Sequence, residues 1–240
     1  MKQMRSGVVA CVVMLLFNGS ALASTVFSNL GSGDTYNVSV YNVVRGATAD
    51  PPFGSADQAY AFTVGSTAYT LTSVEAALSF CGGPNIFLLG CNAPNQINLL
   101  LMADADGAPG SSLQSLLVNV PNIGYPASGA LLSVPAVAPL TLEANSTYWI
   151  VGMSPHSESY FPWLVNNTGH SNTLVRHDSG PWETPGPGVF PAGAFRINGD
   201  PVSAVPEPAS LSLLGVGLFT LMAGRTVWRG RVRTKGRGNA

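Results

Sequence analysis

The sequence predicts an all-β fold: a single jelly-roll-like β-sandwich, with a signal peptide before it and a transmembrane helix after it. Three observations carry that reading. Short β-favouring runs recur through residues 24–200, separated by clusters of Gly, Pro, Asn and Asp, the pattern of strands joined by tight turns. No convincing helical period appears outside the two ends, and no internal repeat is present. The charges are segregated: of eleven Lys and Arg, two lie at the start and six after Gly224, leaving Arg45, Arg176 and Arg196 between.

The first element is residues 1–23. Lys2 and Arg5 form a basic start, and Val8 to Phe17 is an apolar run too short to cross a bilayer. Ala21 and Ala23 supply the small residues a signal peptidase needs, placing the mature start at Ser24.

Residues 24–200 form the domain. Strands are expected over Tyr36–Val44, Gln58–Val64 and Tyr69–Phe80, the last with Val74, Ala76, Leu78 and Phe80 on one face. Ile97, Leu99, Leu101 and Ala103 define another face, closed by a turn from Asp104 to Gly110. Further strands are expected over Leu113–Val120, Leu131–Val137, Thr147–Met153 and Ala194–Asn198. Between Asp34 and Asp200 three cationic residues stand against eleven acidic ones, a net charge of −8. Nucleic acid, which is met with clusters of Lys and Arg, is excluded as a partner.

Residues 201–208 are a linker containing Pro206-Glu207-Pro208, and residues 209–228 are an uncharged, Leu-rich stretch interrupted only by Arg225. Twenty residues reach about 30 Å as a helix, the thickness of the hydrocarbon core. Leu211, Leu214, Leu218 and Met222 are joined by apolar residues on every other face, which suits lipid on all sides. Residues 229–240 are a basic tail; Arg225, Arg229, Arg231 and Arg233 act as the stop that keeps this end cytoplasmic.

The order Val205-Pro-Glu-Pro208, a short Leu/Gly-rich span and an Arg-rich end resembles the PEP-CTERM sorting signal of Gram-negative bacteria. That resemblance implies a protein passed through the inner membrane, released near Pro206–Pro208 by an exosortase, and delivered to the cell surface or extracellular matrix. Signal peptidase and exosortase are then its processing partners, the membrane a transient one, and exopolysaccharide a partner in the matrix. The domain resembles the choice-of-anchor type R domains through Gln58-Ala-Tyr-Ala-Phe62, Tyr69-Thr-Leu-Thr-Ser-Val74, Asp106-Gly-Ala-Pro-Gly110 and Asn145-Ser-Thr-Tyr-Trp-Ile150. That family offers no catalytic residues to carry over, and the segment from Cys81 to Cys91 departs from its pattern.

Several residue groups are candidates for chemistry. Cys81 and Cys91 remain after signal cleavage and are expected to pair in an oxidising compartment, closing a loop worth about 2.5–3 kcal/mol; free thiols or a metal pair are the alternatives, the latter without a nearby His. Asp104, Asp106 and Gly107 read either as the start of a calcium loop or as a turn capped by its own carboxylate. His156, His170 and His177, with Asp178 and Ser179, would suit a hydrolase only if the fold gathered them, and no Gly-x-Ser-x-Gly or His-Glu-x-x-His motif supports one. Tyr160, Trp163 and Trp182 fall in a stretch expected to be loop-rich, where their rings either stack on glycans or pack in the core. No cofactor is expected. The function expected is that of a non-enzymatic exported structural protein. A carbohydrate-binding module is the alternative, and an extracellular hydrolase the less favoured one.

Overall fold

The computed structural model describes residues 23–49, 53–80, 94–121, 129–185 and 191–202. The predicted signal peptide up to Leu22, the Cys81–Cys91 loop, the sorting motif, the membrane span and the basic tail all lie outside the described residues. Among the described residues no helix is long and apolar enough to cross a membrane.

The described chain is all-β and antiparallel throughout. Its strands are β1 (Ser24–Ser28), β2 (Asn37–Arg45), β3 (Ala56–Thr63), β4 (Tyr69–Leu78), β5 (Gln96–Ala105) and β6 (Ala108–Asn119), then β7 (Ala130–Pro135), β8 (Thr141–Leu142), β9 (Thr147–Met153), β10 (Tyr160–Val165), β11 (Thr173–His177) and β12 (Phe195–Pro201). Hydrogen bonding runs in the order β1-β12-β4-β10-β2-β3-β9-β5-β6, with β7 and β8 on β4 and β11 on β3.

This path bends back on itself. β10 meets β4 only at Trp163 opposite Leu78, and β2 meets β3 only at Arg45 opposite Ala56. Those one-residue joints separate a layer of β1, β12, β4, β7 and β8 from a layer of β11, β3, β9, β5 and β6. Phe195 on β12 lies 6.1 Å, ring to ring, from Phe62 on β3, although three strands separate them along the sheet. Phe27 on β1 also packs on Phe62, at 5.7 Å. Contact between strands so distant in the path requires two facing layers, and the architecture is β-sandwich-like.

Alternation fills the space between the layers. On β5 Ile97, Leu99 and Leu101 are buried while their neighbours are not; on β6 Gln114, Leu116 and Val118 do the same. The expected faces of β4 and β5 are therefore the observed ones. Four strands are additional to the expected set: β1, β8, β10 and β11.

β10 is the informative departure. Tyr-Phe-Pro-Trp-Leu-Val is buried on both faces, so it lacks the alternation of a half-exposed strand, and Pro162 reads against a central position. The fold accommodates that proline through its orientation. The Pro162 carbonyl accepts from the Ser79 N–H at 2.9 Å, beyond the end of β4. The N and O of one strand residue face the same side, so the missing N–H falls there too and not in the ladder with β2.

Candidate functional site

Among the described residues, a concavity lies on the outer face of the second layer. It begins with the β5–β6 hairpin, whose two-residue turn is Asp106-Gly107 between Ala105 and Ala108. Both turn residues have positive φ, 53° and 82°, as a type I′ turn demands and as Asp-Gly provides. Asp104, just before the turn, accepts the Gly107 N–H on Oδ2 at 3.2 Å and the Trp149 indole N–H on Oδ1 at 2.7 Å. Both carboxylate oxygens are thus engaged by protein donors. Among the described residues no three His, Cys, Asp or Glu side chains stand together as a metal would need. The Asp104–Asp106–Gly107 sequence serves as a hairpin turn.

Trp149 lies on β9 opposite Ala61 of β3 and Met102 of β5, and forms the floor of a cavity of about 440 Å³. Leu174 and Ala61 extend the apolar floor, while Thr147, Ser171, Asn172 and Thr184 form a hydroxyl and amide rim. The start of β11 is held over it by Ala61 N–H donating to the Asn172 carbonyl at 3.1 Å. Thr184 is delivered by a segment that returns along β11, where Glu183 and Val175 exchange backbone hydrogen bonds of 2.8 and 2.9 Å. Among the described residues no Lys or Arg lines the cavity. Its size falls in the range of small-ligand pockets.

Beside it, Arg176 is held by Asp57 through Nε and Nη2 at 3.0 and 2.7 Å, and its guanidinium lies 4.6 Å from the Trp182 ring. Burial pushes the Asp57 carboxyl above its ordinary value, while the hydrogen bond and charge of Arg176, and the charge of His177, pull it the other way.

The sequence-predicted aromatic surface is corrected here. Trp163 is fully buried between the layers, edge-on to Tyr60, and its indole N–H donates to the Ala194 carbonyl at 3.1 Å. Tyr160 is buried at the start of the same strand. Neither ring can meet a glycan. Trp182 alone of the three is partly exposed, and one face of it is covered by Arg176. The residues the aromatic argument passed over are Thr147 and Trp149. They share the face of β9 opposite Tyr148 and Ile150, an alternation already present in Thr-Tyr-Trp-Ile-Val.

The histidines are not gathered. His156 Nε2 lies 3.4 Å from Gln96 Oε1, His170 Nε2 lies 2.9 Å from the Ala61 carbonyl, and His177 Nδ1 lies 3.3 Å from the Ser55 carbonyl. Asp178 accepts from the Ser55 N–H at 2.8 Å and from its hydroxyl. Among the described residues no serine hydroxyl is hydrogen-bonded to a histidine ring.

At the boundary of the domain, Ser24 opens β1 opposite Gly199 of β12, and Val202 is the last residue described. No curated protein matches the chain. Residues 204–231 match the PEP-CTERM protein-sorting motif, so the chain carries the C-terminal signal of an exported bacterial protein sorted by exosortase processing.

Proposed function

We propose that this chain is a non-catalytic structural protein of the Gram-negative cell surface or extracellular matrix, a jelly-roll-like choice-of-anchor type R domain that exosortase releases from the inner membrane. The observation that carries it is the sorting motif at 204–231, directly after a domain whose last strand ends at Pro201. The start of β1 at Ser24 supports cleavage after Ala23, since the cut leaves the first strand whole. The test is intact mass and C-terminal peptide sequencing of the protein from the membrane and extracellular fractions of its host. A product running from Ser24 to the vicinity of Pro206–Pro208 in the extracellular pool is expected. A membrane-bound product retaining Arg229 to Ala240 would make the tail a permanent anchor and overturn the reading.

The cavity over Trp149 favours a second reading, carbohydrate binding. An apolar floor under a rim of hydroxyls and an amide, with no cation among the described lining residues and with Asp104 already engaged, suits a neutral sugar better than an anion. Binding of neutral oligosaccharides on a glycan array, lost on Asn172→Ala and Thr147→Ala, is the expected outcome. Binding indifferent to both changes would retire this use of the cavity. Turnover of esters, peptides or glycosides by the same preparation would contradict the non-catalytic assignment.

A further inference from the structure

We propose that β6 is a self-association edge, through which two copies of this chain pair strand to strand about a two-fold axis at Leu117.

Among the described residues β6 is the last strand in the hydrogen-bonding order and pairs only with β5. The phase of its hydrogen bonds follows from its end. The Val120 N–H donates to the Asn95 carbonyl at 2.8 Å, so Val120 faces β5. In an antiparallel ladder the direction alternates, and the pairing is regular from Asn119 opposite Gln96 to Gln114 opposite Leu101. Gln114, Leu116 and Val118 therefore also face β5, and the backbone N–H and C=O of Ser115, Leu117 and Asn119 point away from it. No described residue bonds them.

Natural sheets blunt such an edge with charges, prolines or bulges. Here those devices sit at one end. Pro109 and the two register shifts lie beside the Asp106-Gly107 turn, between Leu101 and Asp104 on β5. One of those shifts leaves Leu113 as the extra residue on β6; from Gln114 to Asn119 the strand has none of these devices, and the whole of β6 carries no charge. In a domain of net charge −8 this is an edge along which two copies can approach without setting carboxylates against each other. Among its exposed side chains, otherwise Ser and Asn, two are large and apolar: Leu117 is 53% and Leu113 38% accessible.

The occupant that fits is the strand itself. Antiparallel pairing about Leu117 sets its outward N–H and C=O against those of its copy, and Ser115 against Asn119 on both sides, satisfying the same groups twice. Such a pairing is smaller than the roughly 800 Å² per partner of a standard interface, so the dimer is concentration-dependent.

The test uses the protein purified from its producing cells in mild detergent, followed by sedimentation velocity from about 1 to 100 µM. Amide hydrogen exchange is read at both ends of that range. Dimer that accumulates with concentration, with Leu117 and Asn119 amides protected only in the dimer, is expected. Leu117→Lys puts two charges on the axis, and Ser115→Pro removes an outward N–H that the fold does not use. Each weakens the dimer tenfold or more, while Val38→Lys, at an exposed apolar residue of β2, leaves it unchanged. A monomer at every concentration overturns the proposal. So does a dimer that survives both changes, or a monomer whose Leu117 amide is already protected by residues of its own chain.

Discussion

Tyr60 and Trp163 meet edge to face, with ring centroids 4.8 Å apart and planes at 89°, and the pair joins β3 to β10 across the core. Asn42 and the Gly193 backbone lie near the Tyr60 hydroxyl, yet the hydroxyl has no hydrogen-bond partner, and burial pushes the phenol well above its ordinary value of 10.0. The folded protein therefore holds this proton more tightly than the unfolded chain. Its contribution is fully present below pH 10.0 and is lost as pH rises from there through the folded value. Tyr60→Phe is expected to leave stability at neutral pH unchanged or raise it by up to about 1 kcal/mol. It should also remove one proton's slope, about 1.4 kcal/mol per pH unit, from the alkaline limb. Urea titrations at neutral pH and above pH 10 check both.

Two glycines make the slot for Trp163. A Cβ on Gly193 would stand 2.5 Å from Trp163 Cδ1 and 2.5 Å from Tyr60 Cε2, and one on Gly152 would stand 2.7 Å from Trp163 Cζ3. Gly193→Ala and Gly152→Ala are each expected to cost about 1–3 kcal/mol by overpacking. The measurement is thermal melting with near-ultraviolet circular dichroism, which reports the packed indole.

Asp104 is predicted to act through its hydrogen bonds. Asp104→Ala leaves the largely buried Trp149 indole N–H without its acceptor and should cost about 1–3 kcal/mol. Millimolar calcium should not shift the melting temperature of the unaltered protein, because both Asp104 oxygens already accept from Trp149 and Gly107. A calcium-dependent rise abolished by Asp104→Ala would restore the ion-binding alternative.

Arg196 ties the first layer together on its outer side. It donates to Glu75 Oε2 through Nε at 3.0 Å and to Asp34 Oδ1 through Nη1 at 2.7 Å, while Asn198 donates to Glu75 Oε1 at 2.9 Å. Burial pulls the guanidinium down, but the hydrogen bonds and charges of Glu75 and Asp34 outweigh it and raise the net value. The Glu75 side chain is only 14% exposed, so Arg196→Ala should cost about 2–3 kcal/mol by leaving that carboxylate short of its partner. Glu75→Gln in the same background should recover part of the loss in chemical denaturation.

Alternation announced the strands with one wet face, while β3 and β9, buried on both faces, were announced by their β-favouring residues. β5 and β6 alternate because one side meets solvent, and Asp-Gly between them is a pair that accommodates positive φ at both turn positions. β10 was hidden because it is covered on both sides and also carries Pro162, and its aromatic residues looked like a surface because nothing polar marked which way they pointed. The cavity was hidden differently. Thr147 and Trp149 share a face that β9 alone suggests, but Ser171, Asn172 and Thr184 reach it only after β11 and its returning segment fold over β3. Sorting signals stay legible because they are read as linear text by processing enzymes, with no fold required to assemble them.

The pairing of β1 with β12 decides where anything joined to this domain will emerge. Ser24 is opposite Gly199, so the first and last described strands run side by side and the start of β1 lies beside the end of β12. A reporter or epitope placed at Ser24 would therefore crowd the end of β12. One inserted at the Asp106-Gly107 turn avoids that crowding and leaves both terminal strands in register. Tension applied through the tail enters β12, which is flanked by β1 and β4, so the seam loaded first is the one that also holds the other terminus in place.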